Sequence, residues 1–275
     1  MPPFDSQLFA TRHGPMWALR GDAYITRSLE VYGEYCQAEA DIFRQIVRPG
    51  MTVVEAGANI GTHTVMLARA CAPGPLFAFE PQQRVFQLLC ANLTANQVSN
   101  VVALPHGLGA ADGEAVIPSL DYGAEHNFGS VSLRAAVAGD ERWRTGAPTR
   151  VDALDSLGLP GCDFLKIDVE GWEIEVLEGA RETIARFRPV IYVENDRASK
   201  QAPLIAAIEA LGYAQYWHMA PLYSEANFNA VAGDIFRGSC SLNMLCAPRE
   251  RNLVVQALEA IDPHNWRSPT GPIPD

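Results

Sequence analysis

Short apolar runs alternate with longer amphipathic stretches through the middle of the chain, and this rhythm predicts a parallel α/β sheet. Strands are expected at Thr52–Glu55, Leu76–Phe79, Val101–Leu104, Phe164–Ile167, Val190–Val193 and Tyr213–Trp217. Helical spacing of apolar positions lies between them at Gly61–Cys71, Arg84–Asn96, Trp172–Arg186 and Ala202–Leu211, with an earlier helix at Glu39–Val47. A last apolar run, Ser241–Cys246, follows a polar loop with no room for a crossover helix, so it reads as antiparallel to the strand before it. Two segments break the rhythm. Residues 110–150 and 219–240 are long inserts at strand connections, where binding loops are usually carried. The first 35 residues look irregular, and the tail from Pro263, with Pro269, Pro272 and Pro274, reads as extended. The expected organisation is an N-terminal cap over 1–48, a main domain over 49–247 and a tail over 248–275.

Composition narrows the class. With 275 residues and 48% hydrophobic positions the chain can bury a large core. Lys plus Arg is 21 against 32 for Asp plus Glu, a net charge of −11 that repels phosphodiester backbones and argues against a nucleic-acid partner. The start lacks a basic segment followed by an apolar core, and no stretch reaches the roughly 18 apolar residues of a membrane span. Six cysteines without CxxC spacing read as reduced thiols of a cytoplasmic protein.

The strongest motif is Val53-Val-Glu-Ala-Gly-Ala-Asn-Ile-Gly61, a buried strand entering a glycine turn with a helix directly after it. A dinucleotide fingerprint wants glycines at 57, 59 and 62, but Asn59 and Thr62 occupy two of these places. That counts against a pyrophosphate ligand and a nicotinamide-dependent dehydrogenase. Glu55 at the mouth of the turn would also repel phosphate, and it suits a ligand carrying an ammonium and a sulfonium, as S-adenosylmethionine does. The second strand ends at Glu80-Pro81, where a carboxylate can accept both hydroxyl protons of a ribose.

These residues, with Phe164-Leu-Lys-Ile-Asp-Val-Glu-Gly-Trp-Glu173 and Val176-Leu-Glu-Gly-Ala180, resemble the FkbM-type methyltransferases over roughly residues 50–197. The resemblance implies a class I methyltransferase fold, a Rossmann-like three-layer sandwich with sheet order 3-2-1-4-5-7-6 and strand 7 antiparallel. It also implies S-adenosylmethionine as methyl donor and a hydroxyl of a sugar, glycan or polyketide-like natural product as acceptor. By position, Glu55, Gly57, Asn59 and Gly61 match the cofactor loop, Glu80 the ribose carboxylate and Asp168 the fourth-strand acid. Thr62, Pro81 and Gly107 are expected to touch the same cofactor.

In an open parallel sheet ligands lie beyond the carboxyl ends of the strands. Alternation puts Lys166, Asp168 and Glu170 on one side of the fourth strand, and Lys166 within an apolar run needs a partner, for which Asp168 is placed. A hydroxyl acceptor needs a general base as its new bond forms; Asp168, Glu194 and His218 are the candidates, with Lys166 beside them. A rival mechanism has Asp168, Glu170 and Glu194, with Asn195, ligating a divalent cation, although no HxH or HExxH spacing supports a metal. His126 and Asn127 in the first insert and Asn227 in the second, together with Glu170, are candidate acceptor contacts. A cofactor-binding module without catalysis, as in a biosynthetic complex, is the competing class, and a homodimer is compatible with the sequence.

Overall fold

The computed structural model describes residues 5–118, 120–121, 127–129 and 145–270. Its centre is a sheet of parallel strands β3 (Val53–Ala56), β4 (Leu76–Phe79), β5 (Val101–Leu104), β9 (Phe164–Ile167) and β10 (Val190–Glu194), joined by β11 (Tyr213–Pro221) and the antiparallel β12 (Cys240–Pro248). The order is β5-β4-β3-β9-β10-β12-β11, and an eighth strand, β13 (Glu259–Ala260), extends the edge beyond the expected seven. Both faces of the central strands are covered, so successive residues enter opposite cores. Val53, Phe164 and Tyr192 pack on one face with helices α2 (Gln37–Ile46), α3 (Thr64–Cys71) and α4 (Gln83–Ala95). Val54, Leu165, Ile167, Ile191 and Val193 pack on the other with α5 (Glu173–Glu178), α6 (Arg181–Phe187) and α7 (Ala198–Ala210). The result is a three-layer sandwich.

The structure differs from the periodicity in four places. The helix expected over Trp172–Arg186 is two, divided at Gly179, which passes so close to the Gly109 carbonyl that a β-carbon would lie 1.9 Å from it. Irregular structure was expected for the N-terminal segment, yet it holds a hairpin, β1 (Ser6–Phe9) with β2 (Met16–Leu19), and helix α1 (Ile25–Tyr32). The buried Asn92 of α4 ties that hairpin down: it accepts from the Trp17 amide (2.6 Å) and donates to the carbonyls of Trp17 (3.0 Å) and Ile60 (2.7 Å). The first insert forms a small sheet of β6 (Gly107–Leu108), β7 (Gly113–Ile117) and β8 (Ala147–Asp152), with β8 between its neighbours. The tail, finally, is not merely extended: Ile261 is buried and Trp266 packs on Trp217 of β11 with ring centroids 6.2 Å apart.

The second insert folds back over α1. Glu34 accepts from Arg12 Nε (2.6 Å) and from the Phe228 amide (2.9 Å), Arg12 also donates to the Ala226 carbonyl, and Asn229 donates to the carbonyls of Val31 (3.0 Å) and Tyr32 (3.1 Å). Among the described residues, no helix is long and apolar enough to cross a membrane.

Candidate functional site

A cavity of about 420 Å³ opens at the carboxyl ends of β3, β4, β9 and β10. That volume lies within the range of small-molecule sites. The glycine turn forms one wall. Gly57 has φ +81°, and a β-carbon there would sit 1.8 Å from the Asp168 carbonyl, so only glycine lets the tips of β3 and β9 come together. Asn59 follows in a left-handed conformation, and its amide donates to Glu80 Oε2 at 3.0 Å. The Gln82 amide donates to Glu80 Oε1 at 2.8 Å. Glu80 is thus aimed by backbone from both sides at the end of β4, and burial pushes its carboxyl up to about 7.

Lys166 lies beneath the floor. The registers of β3, β9 and β10 place Glu55 and Tyr192 as its direct cross-strand neighbours, one on each side. Its ammonium, 2% exposed, donates to Asp168 Oδ2 at 3.1 Å and stands 3.7 Å from Glu55 Oε1. Burial alone would discharge it, but Asp168, Glu55 and Glu39 outweigh that cost and raise its value. Glu55 also accepts from the Thr64 hydroxyl at 2.7 Å; burial lifts its carboxyl above the ordinary range, with Lys166 pulling the other way.

Asp168, Glu170 and Glu194 converge at the opposite wall, their ligand-capable oxygens within 4.8 Å of one another. Burial together with the neighbouring carboxylates pushes Glu170 up to about 8 and Glu194 well above its ordinary value. Glu170 takes a left-handed conformation and accepts from Arg197 Nη2 at 2.5 Å. Glu194 Oε2 is fully buried and has no hydrogen-bond partner among the described residues.

The cavity therefore gathers Glu55, Gly57, Asn59, Thr62, Glu80, Pro81, Gly107, Asn127, Lys166, Asp168, Glu170 and Glu194. Among the described residues, Gly61, Asn195, His218 and Asn227 were expected at the site and are not among its walls. Gly61 packs behind the turn, against Leu89 of α4. His218 is buried within the sheet, its Nδ1 2.7 Å from the Tyr192 hydroxyl, and desolvation holds its ring down to about 4; it is a neutral partner of Tyr192 away from the cavity. Asn227 folds its own loop, accepting from the Val231 amide (3.0 Å) and donating to the carbonyls of Ser224 and Val231 (each 2.8 Å). His126 lies outside the described residues.

Sequence reasoning missed several lining residues. Glu39 of α2 and His63 reach the cavity from below, and burial raises Glu39 to about 7 while its Oε1 accepts from Asn243 at 3.0 Å. His63 Nε2 is buried without a partner among the described residues. His106 stands at the Glu80 end, its Nδ1 2.7 Å from the buried Asp152. The contacts that bring Glu39 and Asp152 into place are long-range, and nothing local marks them. His63 lies two residues beyond the glycine motif already singled out.

The site fits an S-adenosyl nucleoside on its own chemistry. Glu80 could accept from ribose hydroxyls, the His63 nitrogen without a partner among the described residues offers a further polar contact, and the glycine turn lets backbone approach a ligand. The methyltransferase FkbM domain matches residues 55–215. The chain is 30% identical over 182 residues to methyltransferase sdnD of Sordaria araneosa, covering 57% of this chain and 70% of that protein. It is 26% identical over 163 residues to the hexuronic acid methyltransferase AglP of Haloferax volcanii, covering 56% and 62%. A solved FkbM methyltransferase of Methylobacillus flagellatus is similar with a TM-score of 0.44 at 16% identity, covering 76% of this chain and 50% of that one. On the extent of the domain match, this chain belongs to the FkbM family of methyltransferases, and S-adenosylmethionine is its methyl donor.

Proposed function

We propose that the protein methylates a hydroxyl oxygen of a small molecule or glycan, with Asp168 as general base. The carrying observation is that Asp168 and the Glu80 ribose carboxylate line one cavity, with Lys166 fixing Asp168 from beneath. Bound S-adenosylmethionine supplies an electrophilic methyl group whose leaving thioether is neutral. The protein's own contribution is alignment, which can supply roughly 7–11 kcal/mol, and removal of the acceptor's proton. Of the three clustered carboxylates, Glu194 is pushed toward its protonated form and Glu170 is taken by Arg197. Asp168, with a side chain 37% exposed, is left as the acceptor of that proton at its Oδ atoms. The hexuronic acid in AglP's name supports a sugar acceptor.

Calorimetry with S-adenosylhomocysteine and product formation against an acceptor panel test this reading. Asp168→Asn should lower turnover by about 10²–10⁴ and change cofactor affinity by only a few-fold. Full turnover in that variant removes Asp168 as the base. A second reading is favoured by the partnerless Glu194 oxygen within reach of Asp168 and Glu170: the three ligate a divalent cation that lowers the acceptor's pKa. Turnover that vanishes in a chelator and returns with Mg²⁺ or Mn²⁺ would select it.

A further inference from the structure

A second, shallower hollow opens beside the mouth of the main cavity, and the two share Tyr24 and Ser239. The main cavity is lined at depth by carboxylates and Lys166, whereas the hollow sets Tyr24, Ile235 and Phe236 beside Ala23, Arg27 and Ser239. Tyr24 is 40% and Ile235 41% exposed.

The segment carrying Ile235 and Phe236 is held in place. Tyr32 is fully buried, and its hydroxyl donates to the Gly233 carbonyl (2.9 Å) and accepts from the Ile235 amide (2.8 Å). Asp234 accepts from the Phe236 amide at 2.8 Å and from the Gly238 amide. The rings of Tyr24 and Phe236 stack with centroids 6.1 Å apart and planes 16° from parallel, and Tyr32 packs on Phe236 from behind at 6.0 Å. A surface ordered in advance loses little conformational freedom when it is covered. Arg27, the charged residue of the hollow, is paired with Glu30 at 2.6 Å.

We propose that this hollow binds the apolar part of an amphipathic acceptor. The hydroxyl-bearing portion enters the main cavity, and an attached ring system or chain lies across Tyr24, Ile235 and Phe236. The inference rests on the methyl-transfer reading of the main cavity, because the shared wall of Tyr24 and Ser239 is what makes one molecule span both spaces.

The test uses 2-naphthyl β-D-glucoside, followed by its fluorescence, against protein saturated with S-adenosylhomocysteine, with methyl β-D-glucoside as competitor. The naphthyl compound should bind at least tenfold more tightly than the methyl one. Ile235→Asp should abolish that difference and leave the melting temperature and the S-adenosylhomocysteine affinity as in the parent. Equal binding of the two glucosides, or unchanged naphthyl binding in the variant, overturns the proposal. Calorimetry of S-adenosylhomocysteine on the same samples reads the underlying function separately: no binding there sinks the methyl-transfer reading, whatever the naphthyl titration shows.

Discussion

Replacing Lys166 by Met keeps the length of the side chain and removes its charge from a fully packed position. In the native protein its ammonium holds Asp168 at 3.1 Å and Glu55 at 3.7 Å. Unit charges at such distances attract by about 4 kcal/mol at an effective dielectric constant near 20. The loss is capped, because Glu55 without its cation takes up a proton. Starting from the ordinary value of 4.5, and with one pH unit worth about 1.36 kcal/mol, that escape costs at most about 3.4 kcal/mol at pH 7 and about 0.7 kcal/mol at pH 5. Asp168, more than a third exposed, exchanges its lysine for water and adds only about 0–1 kcal/mol. Lys166→Met should therefore destabilise the fold by about 3–4 kcal/mol at pH 7, within the range for breaking a buried ion pair. The sign of the pH dependence follows from Glu55. Burial already raises its carboxyl, and losing the lysine raises it further, so the folded variant keeps a proton that the unfolded chain releases. The stability gap to the parent should widen as pH rises from 5 to 8, in urea unfolding followed by tryptophan fluorescence. Adding Glu55→Gln should remove most of the pH-dependent part. A loss below about 1 kcal/mol at pH 7, or a gap that stays flat with pH, would refute the placement of Lys166 as the cation of this floor.

Two further outcomes are expected. Burial lifts Glu80 to about 7, so with the proposed ribose contact, which favours its ionised form, S-adenosylhomocysteine affinity should rise as pH increases through that value. Glu80→Gln should flatten this profile in calorimetry and weaken binding by about 1–3 kcal/mol. Asn92→Ala removes the two hydrogen bonds that hold Trp17 of the N-terminal hairpin and a third to the Ile60 carbonyl, so it should cost about 2–4 kcal/mol and expose residues 5–19 to proteolysis before the rest of the chain.

The main sheet was legible because its strands are compact apolar runs, and the pairing of Lys166 with Asp168 followed from a charge that an apolar run cannot carry alone. Other features had no local signature. The N-terminal strands are four residues each, one of them Ser6–Phe9 with little apolar alternation, and they owe their place to Asn92 far along the chain. At Gly179, where the helix divides, the need for glycine comes from a carbonyl in a distant loop. His218 illustrates the same limit at the site: its position at a strand end suggested chemistry, but register aims it at Tyr192. Glu39 lay in a helix read only as packing, and its role beside Lys166 depends on how α2 crosses the sheet.

The contacts of Glu34 and Tyr32 with residues 226–235 join two stretches remote in sequence, one before the matched domain and one after it. Grafting either stretch alone from a relative would strand a buried carboxylate or a buried phenol without its partner. Chimaeras that replace this surface should exchange residues 12–34 and 222–239 as a matched pair, so that each buried group keeps its partner.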